Sequence, residues 1–141
     1  MGDRLPRVTA PDEVNLAVPA MPEFLRLVRV TAAGLGSRLG FSYDQVEDLR
    51  LAIDELCFGL TGATGRLGTV HVRFVVEGDG LEVSAEGHFE DSLPTPPESE
   101  WSKVILAALV DDHELASGPN GPSFRLIKHR DPPHPPAAAS A

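Results

Sequence analysis

Two stretches in the first half of the chain space their apolar residues at steps of three and four. The first stretch contains Leu25, Val28, Ala32, Leu35 and Leu39. The second contains Val46, Leu49, Ile53, Leu56 and Leu60. This spacing places the residues of each set on one face of an α-helix. We therefore predict two amphipathic helices, and both of them need a partner surface to cover their apolar faces.

Residues with special backbone or capping properties mark the ends of these helices. Pro22 is suited to the first turn of a helix and Gly40 to the end of one, so they bound the first helix. Ser42 and Gln45 have the spacing of a capping box, with Phe41 and Val46 around them as a hydrophobic staple. The second helix is therefore predicted to begin directly after Ser42.

Alternating apolar and polar residues predict five strands. The strands cover residues 14–18, 70–76, 81–86, 113–117 and 123–129. Gly78-Asp79-Gly80 is a hairpin turn signal between the second and third strands. A third helix is predicted before the last two strands, capped by Thr95 and Glu98 with Pro96 at its first position. Its apolar side is expected to contain Trp101, Ile105, Ala108 and Leu109.

The predicted order is β-α-α-β-β-α-β-β, without strict alternation of strands and helices. This order favours an α+β two-layer sandwich, with a mixed, mostly antiparallel sheet and the helices on one face. We expect one domain over residues 13–130. Residues 1–12 are expected to form a flexible lead-in, and residues 131–141, rich in Pro and Ala, a flexible tail.

Charge and cysteine content narrow the possible functions. The 141 residues carry a net charge of −9, which argues against direct nucleic-acid binding, because such binding depends on clustered Lys and Arg. The single cysteine, Cys57, excludes an internal disulfide and a cysteine-cluster metal site. It is expected to be a small core residue, with a redox switch as the alternative. No apolar run approaches the ~20 residues of a membrane span and no signal peptide is apparent, so a cytoplasmic location is expected.

One segment of the second helix carries a family resemblance. The segment Asp48-Leu-Arg-Leu-Ala-Ile-Asp-Glu-Leu-Cys57, together with the element order, resembles the second long helix of the bacterial anti-sigma factor/serine-protein kinase family. That family belongs to the GHKL superfamily of histidine-kinase-like ATPases. The stretch from Val104 to Lys128 is similar to the family's closing helix, hairpin and last strand. The resemblance covers roughly residues 13 to 130 and implies the histidine-kinase-like ATPase fold.

The resemblance also implies ATP and Mg²⁺ as cofactors and assigns positions to two residues of the second helix. Glu55 matches the general base that accepts the proton of a substrate serine. The alternative is an exposed acid on a capped amphipathic helix. Gly59 occupies the position of the family's asparagine, whose oxygen holds Mg²⁺. Because glycine has no side chain, no metal ligand is predicted there.

The other nucleotide motifs of the family depart from its pattern. Gly87 matches the first glycine of the adenine-binding box, and Ala85 stands where the family has an aspartate; Glu86 is the substitute after a shift of register. Residues 98–103 replace the phosphate-binding glycines with two glutamates, and Lys103 offers one positive charge. Glu86, Gly87 and Lys103 are thus the candidate cofactor-binding residues. We nevertheless expect no cofactor, weak or absent ATP binding and no robust kinase activity.

The resemblance further implies binding partners. Family members bind an RNA polymerase sigma factor, exchange it for an anti-sigma antagonist and are commonly homodimers. Glu23, Arg26 and Arg29 lie off the apolar stripe of the first helix and are the candidate partner-binding residues, with ordinary surface charge as the alternative. The resemblance therefore implies an anti-sigma factor. The alternatives are an active serine kinase that phosphorylates the antagonist, and a small α+β domain of another complex.

Overall fold

The computed structural model describes residues 12–92, 98–118 and 121–132. Its elements are β1 (Asp12–Pro19), α1 (Pro22–Leu39), α2 (Tyr43–Thr61), β2 (Gly68–Glu77), β3 (Gly80–Phe89), α3 (Glu100–Leu109), β4 (Asp112–Gly118) and β5 (Gly121–His129). The predicted α+β order is confirmed. Asp12 opens β1, whereas the rest of the predicted lead-in and the predicted tail beyond residue 132 lie outside the described residues.

The five strands form one sheet in the order β1-β2-β3-β5-β4. Every described pairing is antiparallel, so the prediction of a mixed sheet is wrong in this detail. The reason lies in the connections. One tight turn joins β2 to β3, and two consecutive helices lie between β1 and β2, so the chain reverses direction within both of these pairs.

The core lies between one face of the sheet and the helices. One row of side chains crosses four strands on this covered face. It consists of Leu16, Val72, Ala85 and Phe124, each of which is paired with the next one across the sheet. The helices meet this face with side chains from both predicted stripes; the fully buried ones are Val28, Ala32, Leu49, Ile53, Leu56 and Leu60. The two stripes predicted from the sequence are therefore confirmed as core-facing.

The opposite face of the sheet is polar. A cross-strand row of Asn15, Arg73, Ser84, Arg125 and Glu114 lies on it. Arg73 donates to Glu13 at 2.8 Å from its Nε, and Arg125 donates to Asp112 at 3.2 Å. Strand alternation thus separates an apolar face that packs against the helices from a polar face that contacts solvent.

The start and the buried side of α3 differ from the prediction. The helix begins at Glu100, and its N-cap is Ser99, whose Oγ accepts from the backbone N–H of Ser102 at 3.0 Å. Thr95 and Pro96, predicted as cap and first residue, lie outside the described residues. Leu106 is the buried residue of the helix, while Trp101 is 72% exposed. Apolar residues occur on several sides of α3, so spacing alone could not select the side that packs.

Two polar side chains join helices to β5 inside the protein. Ser42 and Gln45 form both hydrogen bonds of the predicted capping box, and Gln45 Nε2 also donates to the backbone oxygen of His129 at 3.1 Å. Lys128, only 8% exposed, donates from Nζ to the backbone oxygen of Leu109 at 2.6 Å, at the end of α3. Within the described segments, no helix is both long and apolar enough to cross a membrane.

Replacing Gln45 with alanine should destabilise the fold, because it removes half of the capping box and the bond to His129 at a buried position. We expect the free energy of unfolding to fall by about 2 kcal/mol. Urea unfolding followed by circular dichroism measures it. Tyr43→Ala, at an exposed position of the same helical turn, is the control and should change stability by less than about 0.5 kcal/mol. Equal effects of the two variants would contradict this role for Gln45.

Cys57 should be unreactive in the native protein. Its side chain is buried in the core, and this burial raises the pKa of the thiol to about 12. At pH 8 only about one thiol in ten thousand would be the reactive thiolate. A chromogenic disulfide reagent should therefore label the chain only after it unfolds in denaturant. Labelling of the folded protein within minutes would support the alternative of a redox switch.

Candidate functional site

A cavity of about 460 Å³ lies between α2, the loop that follows it and the start of α3. Its lining includes Glu55, Phe58, Gly59, Arg66, Glu98 and Ser102. A second concavity, of about 610 Å³, lies on the polar face of the sheet and contains Glu86 in its lining. The α2–α3 cavity is the better candidate site, because it brings together residues from the second helix that the sequence singled out.

The geometry of α2 places Glu55 and Gly59 in this cavity. Leu56 and Leu60 are held in the core, and each residue that precedes them is rotated by about 100° around the helix axis. Glu55 and Gly59 are one turn apart, so both line the same wall. The structure therefore places Glu55 and Gly59 on the same side of α2.

Glu55 is engaged by a serine of α3. The hydroxyl of Ser102 donates to Oε2 of Glu55 at 2.5 Å, and this contact links the two helices across the cavity. Ser102 lies in the first turn of α3, which begins after Ser99. One acceptor position of the carboxylate is thus taken by a hydroxyl from the same chain.

Gly59 is not required by local packing. A Cβ atom added at this position would have no neighbouring heavy atom within 4 Å. Glycine inside a helix costs about 0.5–1 kcal/mol relative to alanine, and crowding does not explain its presence here. The position is open to the cavity and has no side-chain atom that could bind a ligand.

Two further polar side-chain pairs border the cavity. Arg66 forms an ion pair with Asp91 and donates to the backbone oxygen of Leu60 at 3.3 Å. Its Cζ also lies over the Phe89 ring, 4.0 Å from the ring centroid. Glu98 Oε2 lies 2.8 Å from Nε2 of His113. The Glu98 and His113 side chains are only 12% and 15% exposed. Sequence reasoning missed both pairs, because their members are far apart along the chain and no local pattern links them.

The three candidate cofactor-binding residues do not line the α2–α3 cavity. Glu86 projects from the polar face of the sheet, and its Oε1 lies 2.8 Å from Nε2 of His88. Gly87 is buried on the covered face, where a side chain would collide with the ring of Phe89. Lys103 is exposed and forms an ion pair with Glu100 at 3.2 Å. The structure therefore separates these residues from Glu55.

Ala85, at the family's aspartate position, belongs to the hydrophobic core. It is 3% exposed and is paired with Val72 on one side and Phe124 on the other. An alanine here contributes to packing and offers no hydrogen-bond acceptor. Among the residues described, no group of three or more His, Cys, Asp or Glu side chains is arranged to hold a metal ion.

The candidate partner-binding residues are all on α1, in different environments. Glu23 and Arg26 are exposed, whereas Arg29 is 31% exposed and forms an ion pair with Asp54 of α2 at 3.1 Å. Exposed apolar side chains, which the sequence analysis did not single out, accompany them on α1: Phe24 (41% exposed), Leu27 (46%) and Val30 (64%). Charged and apolar groups are thus available together on this helix.

Comparison with known proteins relates the chain to bacterial proteins named serine-protein kinase RsbW. No family model matches it. It is 38% identical over 77 residues to serine-protein kinase RsbW of Bacillus pumilus (strain SAFR-032), an alignment of 51% of this chain and 48% of that protein. It is 39% identical over 75 residues to the protein of the same name from Bacillus subtilis (strain 168). That alignment covers 51% of this chain and 47% of that protein. The chain thus spans about half the length of these curated relatives.

A longer alignment and one solved structure extend the comparison. Serine-protein kinase RsbW of Bacillus cereus (strain B4264) is 32% identical over 123 residues, which cover 74% of this chain and 77% of that protein. The crystal structure of the RsbU and RsbW domains of Rv1364c from Mycobacterium tuberculosis aligns with a TM-score of 0.61 and 19% identity. It covers 84% of this chain and 32% of that one, and at this identity it supports the fold alone. The chain belongs to the RsbW serine-protein kinase family, as the α2 motif and the element order indicated.

Proposed function

We propose that this protein is a cytoplasmic anti-sigma factor, which binds an RNA polymerase sigma factor as a homodimer and is regulated by partner switching with an anti-sigma antagonist. We further propose that it binds ATP weakly or not at all. The observation that carries the proposal is the wall of the α2–α3 cavity, where Gly59 contributes no oxygen one turn after Glu55. A binding role needs only a complementary surface, so it survives the loss of catalytic groups.

The residues around the cavity do not suit Mg·ATP. Mg²⁺ requires oxygen ligands in near-octahedral geometry, and Gly59 supplies none. Glu98 lines the cavity beside the N-terminus of α3, so a triphosphate placed there would meet a negative charge. Ala85 has no acceptor for an adenine amino group. These features support the proposal because each removes an interaction that nucleotide binding in this superfamily uses.

The second candidate function is an active serine kinase. Two observations favour it: Glu55 lines the cavity, and the relatives carry the name serine-protein kinase. A carboxylate can accept the proton of a substrate hydroxyl if it lies within hydrogen-bond reach. In this chain, Ser102 already takes up one acceptor position of that carboxylate.

The α1 surface is the proposed binding surface for the sigma factor. Arginine pairs well with carboxylates across an interface, and exposed apolar side chains supply area that becomes buried on binding. Arg26 is the stronger candidate for contacting the sigma factor because it is exposed, whereas Arg29 forms an ion pair with Asp54 within the chain. Phe24 and Leu27, its exposed apolar neighbours in sequence, would add contact area.

Charge reversal at Arg26 should weaken the capture of a sigma factor by about tenfold, since it removes an attractive group and adds a repulsive one. The tagged chain is incubated with lysate of its host, and the captured sigma factor is identified and quantified by mass spectrometry. Lys103→Glu, at an exposed site on α3, is the matched control and should capture as the wild type does. Absence of any sigma factor among the captured proteins contradicts the proposed function.

Phosphoryl transfer to candidate antagonist proteins should be absent. The wild type is incubated with radiolabelled ATP, Mg²⁺ and each antagonist, with the Bacillus subtilis relative as the positive control. We expect no more label than with Glu55→Ala, because the Mg²⁺ ligand position is occupied by glycine. Labelling by the wild type that disappears in Glu55→Ala would establish the kinase instead.

A further inference from the structure

The α2–α3 cavity combines an apolar wall with two carboxylates. The apolar part of its lining consists of Leu56, Phe58, Leu60, Leu106 and Leu115. Its volume of about 460 Å³ falls within the range of about 300–1,000 Å³ that is typical of small-molecule sites. Side chains of this kind favour the burial of an aromatic or aliphatic group, so the cavity has the size and the walls of a ligand site.

The carboxylates of Glu55 and Glu98 set the charge of this cavity. Each carboxylate has about four acceptor positions; Ser102 donates to Glu55, and His113 lies within hydrogen-bond distance of Glu98. Further positions on both groups can therefore accept from a ligand. Because the Glu98 side chain is only 12% exposed, its interaction with a cation is screened less than at an open surface.

The cationic residue of the lining, Arg66, is already paired with an acid of the same chain. Arg66 forms its ion pair with Asp91, and its guanidinium also contacts the Leu60 backbone oxygen and the Phe89 ring. Asp91 thereby offsets the positive charge that Arg66 brings to the cavity. Within the lining itself, Glu55 and Glu98 outnumber the one cation, Arg66, so the excess charge is negative.

We propose that this cavity binds a small organic cation, with an aromatic or aliphatic body that packs against the apolar wall and an ammonium group that donates to Glu55 and Glu98. The ligand class is thus opposite in charge to a nucleotide. The proposal is independent of which protein the chain binds, since it rests on the lining of the cavity and not on the surface of α1.

Three indole compounds of similar body and different charge test the proposal. They are tryptamine, 3-ethylindole and indole-3-propionate, which are cationic, neutral and anionic at neutral pH. Each is titrated into the ¹⁵N-labelled full chain, and binding is followed by the amide resonances of Gly59, Gly62 and Gly65, which line the cavity. We expect tryptamine to bind at least about tenfold more tightly than indole-3-propionate, with 3-ethylindole between them.

Variants of Glu55 and Glu98 test whether these two carboxylates cause the preference for a cationic ligand. Glu55→Gln and Glu98→Gln keep the size of each side chain and remove its charge; each should weaken tryptamine binding by about three- to tenfold and leave 3-ethylindole unchanged. Glu100→Gln is the matched control, because Glu100 lies on α3, is 90% exposed at its side chain and is paired with Lys103. If Glu98→Gln fails to fold, Glu55→Gln decides the result.

Several results would overturn the proposal. They are equal affinity for the cation and the anion, tryptamine binding that is unaffected by Glu55→Gln, shifts that map to residues outside the cavity, and no saturable binding of any of the three compounds. Tight binding that is selective for tryptamine and is lost in the charge-neutral variants supports it.

Discussion

The packing of α2 is the constraint on which the rest of the structure depends. Leu49, Ile53, Leu56 and Leu60 bury one side of this helix against the sheet, and the capping box and the Gln45–His129 bond fix its start. With the helix held in this rotation, Glu55 and Gly59 must face the space next to α3. The burial that stabilises the fold therefore also determines which residues of α2 line the cavity.

Helix α3 buries fewer side chains than α2, and this difference shapes the site. Leu106 is its buried residue, Lys128 binds the backbone oxygen at its end, and Ser102 joins its first turn to Glu55. A polar contact between a serine and a carboxylate thus joins α2 to α3 in the lining of the cavity. Where the sequence resemblance leads one to expect a glycine-rich phosphate loop, the chain has a capped helix start with Glu98 and Glu100 beside it.

Most of the fold could be predicted from the sequence, because local signals agreed with the final packing. Steps of three and four located α1 and α2, and alternation located the strands. The start of α3 could not be predicted, since Thr95 and Ser99 are both suitable caps and only tertiary contacts choose between them. For the site, the α2 motif pointed to Glu55 and Gly59. Arg66 with Asp91 and Glu98 with His113 meet only after folding, so no local pattern could identify them.

The most direct test of the central claim, that the cavity beside α2 no longer holds a magnesium nucleotide, is a calorimetric titration of the full chain with Mg·ATP. The account predicts no saturable heat at nucleotide concentrations up to about 1 mM, which corresponds to a binding free energy weaker than about −4 kcal/mol. Magnesium-dependent binding with a micromolar Kd would contradict it.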